Sequence, residues 1–398
     1  MKQGWKIMAI GNIAKVYNGN SINAEEKKAR YEGLEIGYPF IATKDVGVNG
    51  NVDYDNGVKI PFDTDFKVAL PDSVFVCAEG GSAGKKVAHI DRKVCFGNKL
   101  FALQPIKEKV LGSFLFYAVQ ETGFKTQFRL LMAGIIGGVS AKKFNSITIH
   151  VPPLSEQHRI VSLLDAEFAK IDALKANAEK NLQNAKDLFQ AALKKELEPK
   201  EGWKKDFLSK IAYISRGRSQ HRPRNEASLY GGDYPFIQTG DIRDANGGTI
   251  STFNQTYSEI GLQQSKLWKK GTICITIAAN IGETAILGMD ACFPDSVVGI
   301  IPDNQIVCTD FLNYCLTKEK DELNEIAHGT AQKNINVAIL EKVLITYPIE
   351  ISIQQSIVSR LDTLSEKCKA LQANYEKTLS LCDDLKQALL TKAFNGEL

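Results

Sequence analysis

The chain is one unit followed by its copy. Gly4-Trp5-Lys6 recurs as Gly202-Trp203-Lys204, an offset of 198, and YPFIATKDV at 38–46 recurs as YPFIQTGDI at 234–242, an offset of 196. Cys95-Phe96 returns as Cys292-Phe293, and Phe114-Leu115-Phe116-Tyr117 as Phe311-Leu312-Asn313-Tyr314, both at 197. Between Gln157 and Glu196 about half the positions are identical, without a gap, to those 197 further on: Ile160, Val161, Ser162, Leu164 and Asp165 match Ile357, Val358, Ser359, Leu361 and Asp362. Two copies of 199 make 398 residues, a period far too long for a solenoid. The copies diverge unevenly. Their last 40 or so residues are nearly interchangeable, whereas the preceding 150 or so keep only landmarks. Two diverged domains, each followed by a preserved helix, describe one frame that carries two different readers.

Each unit opens with short apolar runs separated by turn residues. SVFVCA, KVCF and SITIHV in the first copy, and TICITIA, AILGM, VVGIIP and KVLITYP in the second, read as strands. Asn49-Gly50, Asn56-Gly57 and Asn246-Gly247-Gly248 read as turns between them. Helical stretches at 111–131 and 309–326 interrupt the strands, so an α+β fold with two mixed α/β domains is expected. The units close with Gln157–Leu197 and Gln354–Phe394, free of Gly and Pro. Leu164, Ile171, Ala178, Ala185 and Ala192 fall on one heptad seam, with Phe168, Leu174, Leu182, Leu188 and Phe189 beside it. The second copy places Leu361, Cys368, Tyr375, Cys382 and Leu389 on that seam, beside Leu364, Leu371, Leu379 and Leu385. Ser155, after Pro152-Pro153, supplies a helix N-cap region, and Pro199 and Gly396 are stops.

A long striped helix has to bury its stripe, and a near-identical partner lies in the same chain. Because a whole domain separates the two, an antiparallel coiled-coil pairing with pseudo-twofold symmetry is the simplest closed arrangement, with one domain at each end of a rod. The expected division is 1–154 and 199–351 for the two domains, and 155–198 and 352–398 for the helices. The alternative has each helix packing on its own domain.

Composition sets the outer limits. The content is 44% hydrophobic and 24% charged, that of a globular chain, and no apolar run approaches the roughly 18 residues of a membrane span. The amino terminus has no signal-type apolar core, so a cytoplasmic location is expected. Eight cysteines at 77, 95, 274, 292, 308, 315, 368 and 382 include no Cys-x-x-Cys, and most sit in apolar strings, as buried reduced thiols do. The net charge of +3 neither asserts nor excludes a nucleic-acid partner.

A search for chemistry finds none. Gly80-Gly81-Ser82-Ala83-Gly84-Lys85-Lys86 invites a phosphate-loop reading, yet Glu79 stands where the first glycine belongs and Lys86 replaces the magnesium-binding hydroxyl. A tight turn between strands is the better reading. The five histidines are single, there is no nucleophile elbow, and the only Pro-Pro, Val151-Pro152-Pro153-Leu154, is not the string that amine methyltransferases bring. No metal, no cofactor and no enzyme activity are expected in this chain.

The order of these strings resembles the specificity subunit of type I restriction-modification systems, across the whole chain. The resemblance rests on GWK in each half, YPFIxTxDI, VPPLSEQHRIVSLLD at 151–165 with its degraded copy YPIEISIQQSIVSRLD at 347–362, and HGTAQKNIN at 328–336. The first copy, Ala133-Gly134-Ile135-Ile136-Gly137-Gly138, lacks the glutamine and lysine of that last string, so roles for Gln332 and Lys333 do not transfer to it. The resemblance implies a target recognition domain in each half, reading one half of a split, asymmetric double-stranded DNA site. It also implies helices that act as a spacer and dock two methyltransferase subunits. Adenosylmethionine, ATP and magnesium would then be carried by the methyltransferase subunits and by ATP-dependent restriction subunits, with no membrane partner.

Readers of DNA are sought among polar residues in turns. In the first domain these are Lys44, Lys85, Lys86, Arg92, Asn98 and Lys99; in the second, Arg216, Arg218, Arg222, Arg224, Gln238, Lys333 and Asn334. RGRSQHRPR at 216–224 is the densest basic run. Tyr38-Pro39-Phe40 and Tyr234-Pro235-Phe236 read as core rather than as base-stacking platforms. A non-DNA scaffold, with paired helices presenting two domains to other proteins, fits the same divergence. Neighbouring methyltransferase and helicase-nuclease genes would discriminate against it. A self-sufficient methyltransferase is disfavoured by the missing motifs.

Overall fold

A computed structural model describes residues 4–133, 137–221, 223–278, 280–328 and 334–398. The chain forms two compact units, Met1–Glu179 with Glu376–Leu398, and Lys180–Tyr375.

In the first unit the strands are β1 (Lys6–Ala9), β2 (Ala14–Asn18), β3 (Tyr38–Ile41), β4 (Lys59–Ile60), β5 (Val68–Ala69), β6 (Val74–Cys77), β7 (Val87–His89), β8 (Val94–Phe96), β9 (Leu100–Pro105) and β10 (Thr148–Val151). They make a sheet in the order β2-β9-β6-β7, a second in the order β4-β3-β8-β5, and the pair β1-β10. Strand β6 explains the layering. Side chains alternate across a strand, yet all four of Val74, Phe75, Val76 and Cys77 are apolar and fully buried, so both faces are covered. Val74 and Val76 join the core that holds Phe114, Ile160, Leu164 and Phe394, while Phe75 and Cys77 join the one that holds Ile41 and Phe96. The β2-β9-β6-β7 sheet therefore lies between a helical layer and the β4-β3-β8-β5 sheet.

The second unit repeats this plan with β11 (Trp203–Phe207), β12 (Ala212–Arg216), β13 (Tyr230–Pro235), β14 (Thr249–Ile250), β15 (Thr256–Tyr257), β16 (Ile273–Thr276), β17 (Thr284–Leu287), β18 (Val297–Pro302) and β19 (Leu344–Pro348). Its main sheet runs β12-β18-β16-β17-β14, beside the pairs β13-β15 and β11-β19. Ile273 and Ile275 face one core and Cys274 the other, as in β6. Strand β14, paired parallel to β17, is an addition without counterpart among the described strands of the first unit.

The apolar runs picked out as strands are strands, and the interrupting stretches are helices, Gly112–Ala118 and Thr122–Leu131 in the first unit, Thr309–Lys318 and Lys320–His328 in the second. Asn246-Gly247-Gly248 is not a turn between strands. It ends the helix Thr239–Ala245, with Asn246 at φ 45° and Gly247 at φ 76° in the left-handed region that stops helices.

Two long helices span Leu154–Glu196 and Ile351–Phe394. Ser155 is inside the first turn rather than at the cap: the Pro153 carbonyl accepts from the amides of Glu156 and Gln157, so the helix starts one residue earlier. Inside the first unit the two helices meet antiparallel. Lys175 Nζ donates to Asp383 Oδ1 at 2.7 Å, and Lys386 pairs with Asp172, so rising numbers on one helix meet falling numbers on the other. Inside the second unit Arg360 pairs with Glu196 at 2.6 Å.

Of the seam residues, Leu164, Ile171, Ala178, Ala185, Leu361, Cys368 and Cys382 are buried, while Ala192, Tyr375 and Leu389 are half-buried. The flanking leucines are not: Leu174 and Leu188 are each 51% exposed, and Leu371 and Leu385 41% and 48%. The expected apolar stripe is thus a buried seam beside a second apolar row left open. All eight thiols are free, and only Cys308 is short of full burial. Among the described residues no helix is long and apolar enough to cross a membrane.

Candidate nucleic-acid interface

At the end of β6 the chain turns through Glu79–Lys86 and returns as β7, with Gly80 and Gly84 at positive φ. The glycine-rich string is therefore a hairpin turn. Two loops close on it. Lys86 Nζ donates to the Thr43 carbonyl at 2.9 Å, which brings in the loop carrying Lys44, and the Ala78 amide donates to the Lys99 carbonyl at 2.8 Å. Lys99 Nζ lies 3.8 Å from Glu79, and Asn18 Nδ2 donates to the Asn98 carbonyl at 3.0 Å. Lys44, Lys85, Lys86, Asn98 and Lys99 thus share one rim of the main sheet, the four lysines outweighing Glu79 and Asp45. Arg92 is elsewhere. It sits in the β7–β8 turn, at the other end of β7, with its guanidinium 4.2 Å from the Tyr54 ring and its Nε donating to Asp91 at 2.8 Å. That guanidinium holds the Asp91 carboxyl at about 2.

The second unit builds the same rim from different residues. Gly217 and Arg218 donate backbone amides to Val297 and Phe293, Ile277 to Ser296, and Ile237 to Cys292, gathering three segments around 292–297. Arg216 donates to the Asp295 carbonyl, and Arg224 makes a forked bond to the Asp295 carboxylate at 2.9 and 2.8 Å. Arg218 donates to Gln220 Oε1 at 2.6 Å. The run is pinned further along, where the Gln264 side chain accepts from the amides of Gln220 and His221, and Tyr230 donates to the Arg224 carbonyl. Asn334 joins through its neighbour Ile335, whose amide donates to the Ile277 carbonyl at 3.1 Å. Gln238 precedes the helix Thr239–Ala245, its side chain donating to Gln255. Arg222 and Lys333 lie outside the described residues.

Sequence reasoning missed three contributors. Asp45 and Asp241, the acid of the repeated YPFIxTxD string, are buried, and each holds a rim loop in place. Asp45 accepts from the Ala42 amide at 2.8 Å and from Asn56 at 2.6 Å; Asp241 accepts from the Gln238 amide and from Asn254, both at 2.8 Å. Their retention in both copies was the available signal. Asp295, the acid that pairs with Arg224, had none, because Arg224 and Asp295 are separated by 71 residues. The Tyr-Pro-Phe strings are core as expected: Phe236 stacks on Tyr257 at 4.0 Å, and Tyr38 and Phe40 pack on Tyr31, Ile60 and Cys95.

Chemically, each rim offers cationic donors and amides on a rigid sheet edge, suited to phosphates and base edges. Among the described residues no group of three or more His, Cys, Asp or Glu side chains is placed to hold a metal ion.

Comparison with known proteins points to one family. The family model described as "Type I restriction modification DNA specificity domain" matches twice, over residues 2–184 and 200–380. The chain is 24% identical to the type I restriction enzyme EcoBI specificity subunit of Escherichia coli, over 99% of this chain and 86% of that protein. It is 22% identical to the EcoKI specificity subunit of Escherichia coli K12, over 100% and 90%. Among solved structures, a chain from a study of "complex assembly" and "conformational transition of the type I R-M system" superposes with a TM-score of 0.82 at 20% identity, covering 100% of this chain and 99% of that one. The HsdS subunit from Thermoanaerobacter tengcongensis gives 0.57 at 20% identity, over 100% and 98%. Two rims on two copies of one domain, matched twice by one family over most of the chain, make this protein a member of the type I restriction-modification DNA specificity family.

Proposed function

We propose that each globular domain reads one half of a bipartite, asymmetric double-stranded DNA site, and that the rims described above are the reading surfaces. The observation that carries this is the doubled rim: the same loops close on the same sheet edge in both domains, yet one presents lysines and the other arginines. Unequal readers on equal frames suit unequal half-sites, as a symmetric dimer suits a palindrome. The two long helices act as an antiparallel coiled-coil spacer with pseudo-twofold symmetry. The open leucine row supports a second role for them. Leu174 with Leu371, and Leu188 with Leu385, repeat at an offset of 197 and stay half exposed, as befits docking sites for two copies of one methyltransferase subunit.

In this reading adenosylmethionine is bound by the methyltransferase subunits, and ATP and magnesium by the restriction subunits, in the cytoplasm of a bacterium or archaeon. This chain contributes recognition and no bond-making step. The modest net charge of +3 fits a reader whose partners supply much of the phosphate contact. A scaffold that does not bind DNA is disfavoured by the family match.

The test is reconstitution. The purified chain with adenosylmethionine, ATP and magnesium is expected to leave DNA unmodified. With its methyltransferase subunit it is expected to methylate adenine at one bipartite sequence. Methyl transfer by the chain alone would overturn the assignment.

A further inference from the structure

Among the few landmarks the diverged domains share are those that fasten each domain to its helix. Gln157, in the first turn of the first long helix, is 0% exposed. Its Oε1 accepts from the Leu111 amide at 2.9 Å, and its Nε2 donates to the carbonyls of Lys109 and Pro152, each at 2.9 Å. One side chain therefore ties together the end of β10, the loop leaving β9 and the start of the helix. Gln354 does the same in the second unit: its Oε1 accepts from the Cys308 amide at 2.8 Å, and its Nε2 donates to the carbonyls of Ile306 at 3.0 Å and Pro348 at 2.8 Å.

A second fastening follows eight residues along each helix, roughly 12 Å at 1.5 Å per residue. Tyr117 donates to Asp165 at 2.5 Å, and Tyr314 to Asp362 at 2.6 Å. Both tyrosines lie on the short helix that begins just after the residue bonded by the glutamine. Every member of the first set recurs 197 residues on, apart from the strand-end carbonyl, which comes from Pro348.

A body held to a rod at one point swivels; held at two, it keeps its angle. We infer that the Gln157 and Gln354 clamps, with the Tyr117–Asp165 and Tyr314–Asp362 bonds, are positioning elements that fix each recognition domain's angle on its helix and so hold the unread gap of the DNA site to a single length. Gln157 and Gln354 touch no DNA in this scheme; they act through the attitude of the rims. The inference rests on the half-site reading proposed above. It accounts for the uneven divergence, since a domain is free to change what it reads only while its seating stays the same.

The experiment maps methylated adenines, base by base, in a methylation-free host that expresses the full chain with its methyltransferase subunit. Wild type is compared with Gln354→Leu, with Tyr314→Phe and with the double variant. Wild type is expected to show one bipartite site with one gap. The variants are expected to keep both half-site sequences, while methylation at sites with gaps one base pair longer or shorter rises about tenfold relative to the normal gap, the factor that about one net hydrogen bond supplies. Reduced methylation with an unchanged gap in every active variant would overturn the inference and leave the clamp a folding element only. Tyr314→Phe removes a hydroxyl from a retained ring, so it decides the matter if Gln354→Leu does not fold. A wild-type pattern without any bipartite site would instead overturn the half-site reading, and the inference with it.

Discussion

In the proposed reading, Asp295 sets how much of the basic run at 216–224 is available to DNA. Its carboxylate is forked to Arg224 and its carbonyl takes Arg216. The pair is open to solvent, with Arg224 53% and Asp295 31% exposed at the side chain, so it contributes at most about 1 kcal/mol to folding. Asp295→Ala is therefore expected to fold normally, since it leaves the Asp295 backbone carbonyl in place. Two effects on binding follow. Removing one negative charge on the order of 7 Å from a phosphate relieves about 0.6 kcal/mol of repulsion in water, or about threefold in Kd. Releasing Arg224 to reach a phosphate of its own makes the slope of log K against log salt steeper by about 0.9. Fluorescence anisotropy with a labelled duplex, repeated from 50 to 200 mM salt on the methyltransferase complex, reads both quantities. Equal Kd and equal slope for wild type and variant would refute the placement of this run at the DNA. Weaker binding by Asp295→Ala would show that the ion pair shapes the reading loop rather than masking it.

Three further outcomes are expected. Leu174→Lys with Leu188→Lys, at half-exposed positions, is expected to leave the thermal midpoint nearly unchanged but to weaken methyltransferase docking at least tenfold in titration calorimetry, since a buried leucine is worth about 1.5–3 kcal/mol. Asp241→Ala leaves the Gln238 amide and the Asn254 side chain without an acceptor at a cost of about 1–3 kcal/mol; mapped methylation is expected to lose discrimination in one half-site and keep it in the other. Burial pushes the Cys95 thiol up to about 11 and the fully buried Cys274 and Cys315 thiols higher still, so at pH 8 these stay protonated and a thiol reagent is expected to label the half-buried Cys308 first, with Cys274 and Cys315 reacting only on unfolding. Early labelling of Cys274 by mass spectrometry would contradict the buried β16.

What was legible in the sequence was whatever repeats or is local. The offset of 197 revealed the two units, and apolar runs such as Ser73–Ala78 and Thr272–Ala278 revealed central strands, because burial on both faces leaves no charged residue in them. The heptad seam was legible too, but not its width. Leu174 and Leu188 carry the same apolar signature whether they face a helix of this chain or a partner, and hydrophobicity does not say which. The rim was half legible. Lysines and arginines in turns could be named, but which turns meet depends on the Lys86–Thr43 and Arg218–Phe293 bonds, whose members lie 43 and 75 residues apart. Arg92 shows the cost of that gap: by sequence it is as good a candidate as Lys99, and the β7–β8 turn carries it to the other end of the strand. The added strand β14 is two residues long, Thr249-Ile250, too short to leave a period.

The central claim is that the two domains are independent readers on one frame, and exchanging one of them tests it most directly. Residues 202–350 run from the start of β11 to just past β19, the antiparallel pair that closes the second domain. Replacing them with the corresponding domain of another family member, and mapping methylated adenines for parent and exchange variant, is expected to change one half of the bipartite sequence and leave the other half as it was. A variant that methylates with both halves altered, or with neither altered, would contradict the account.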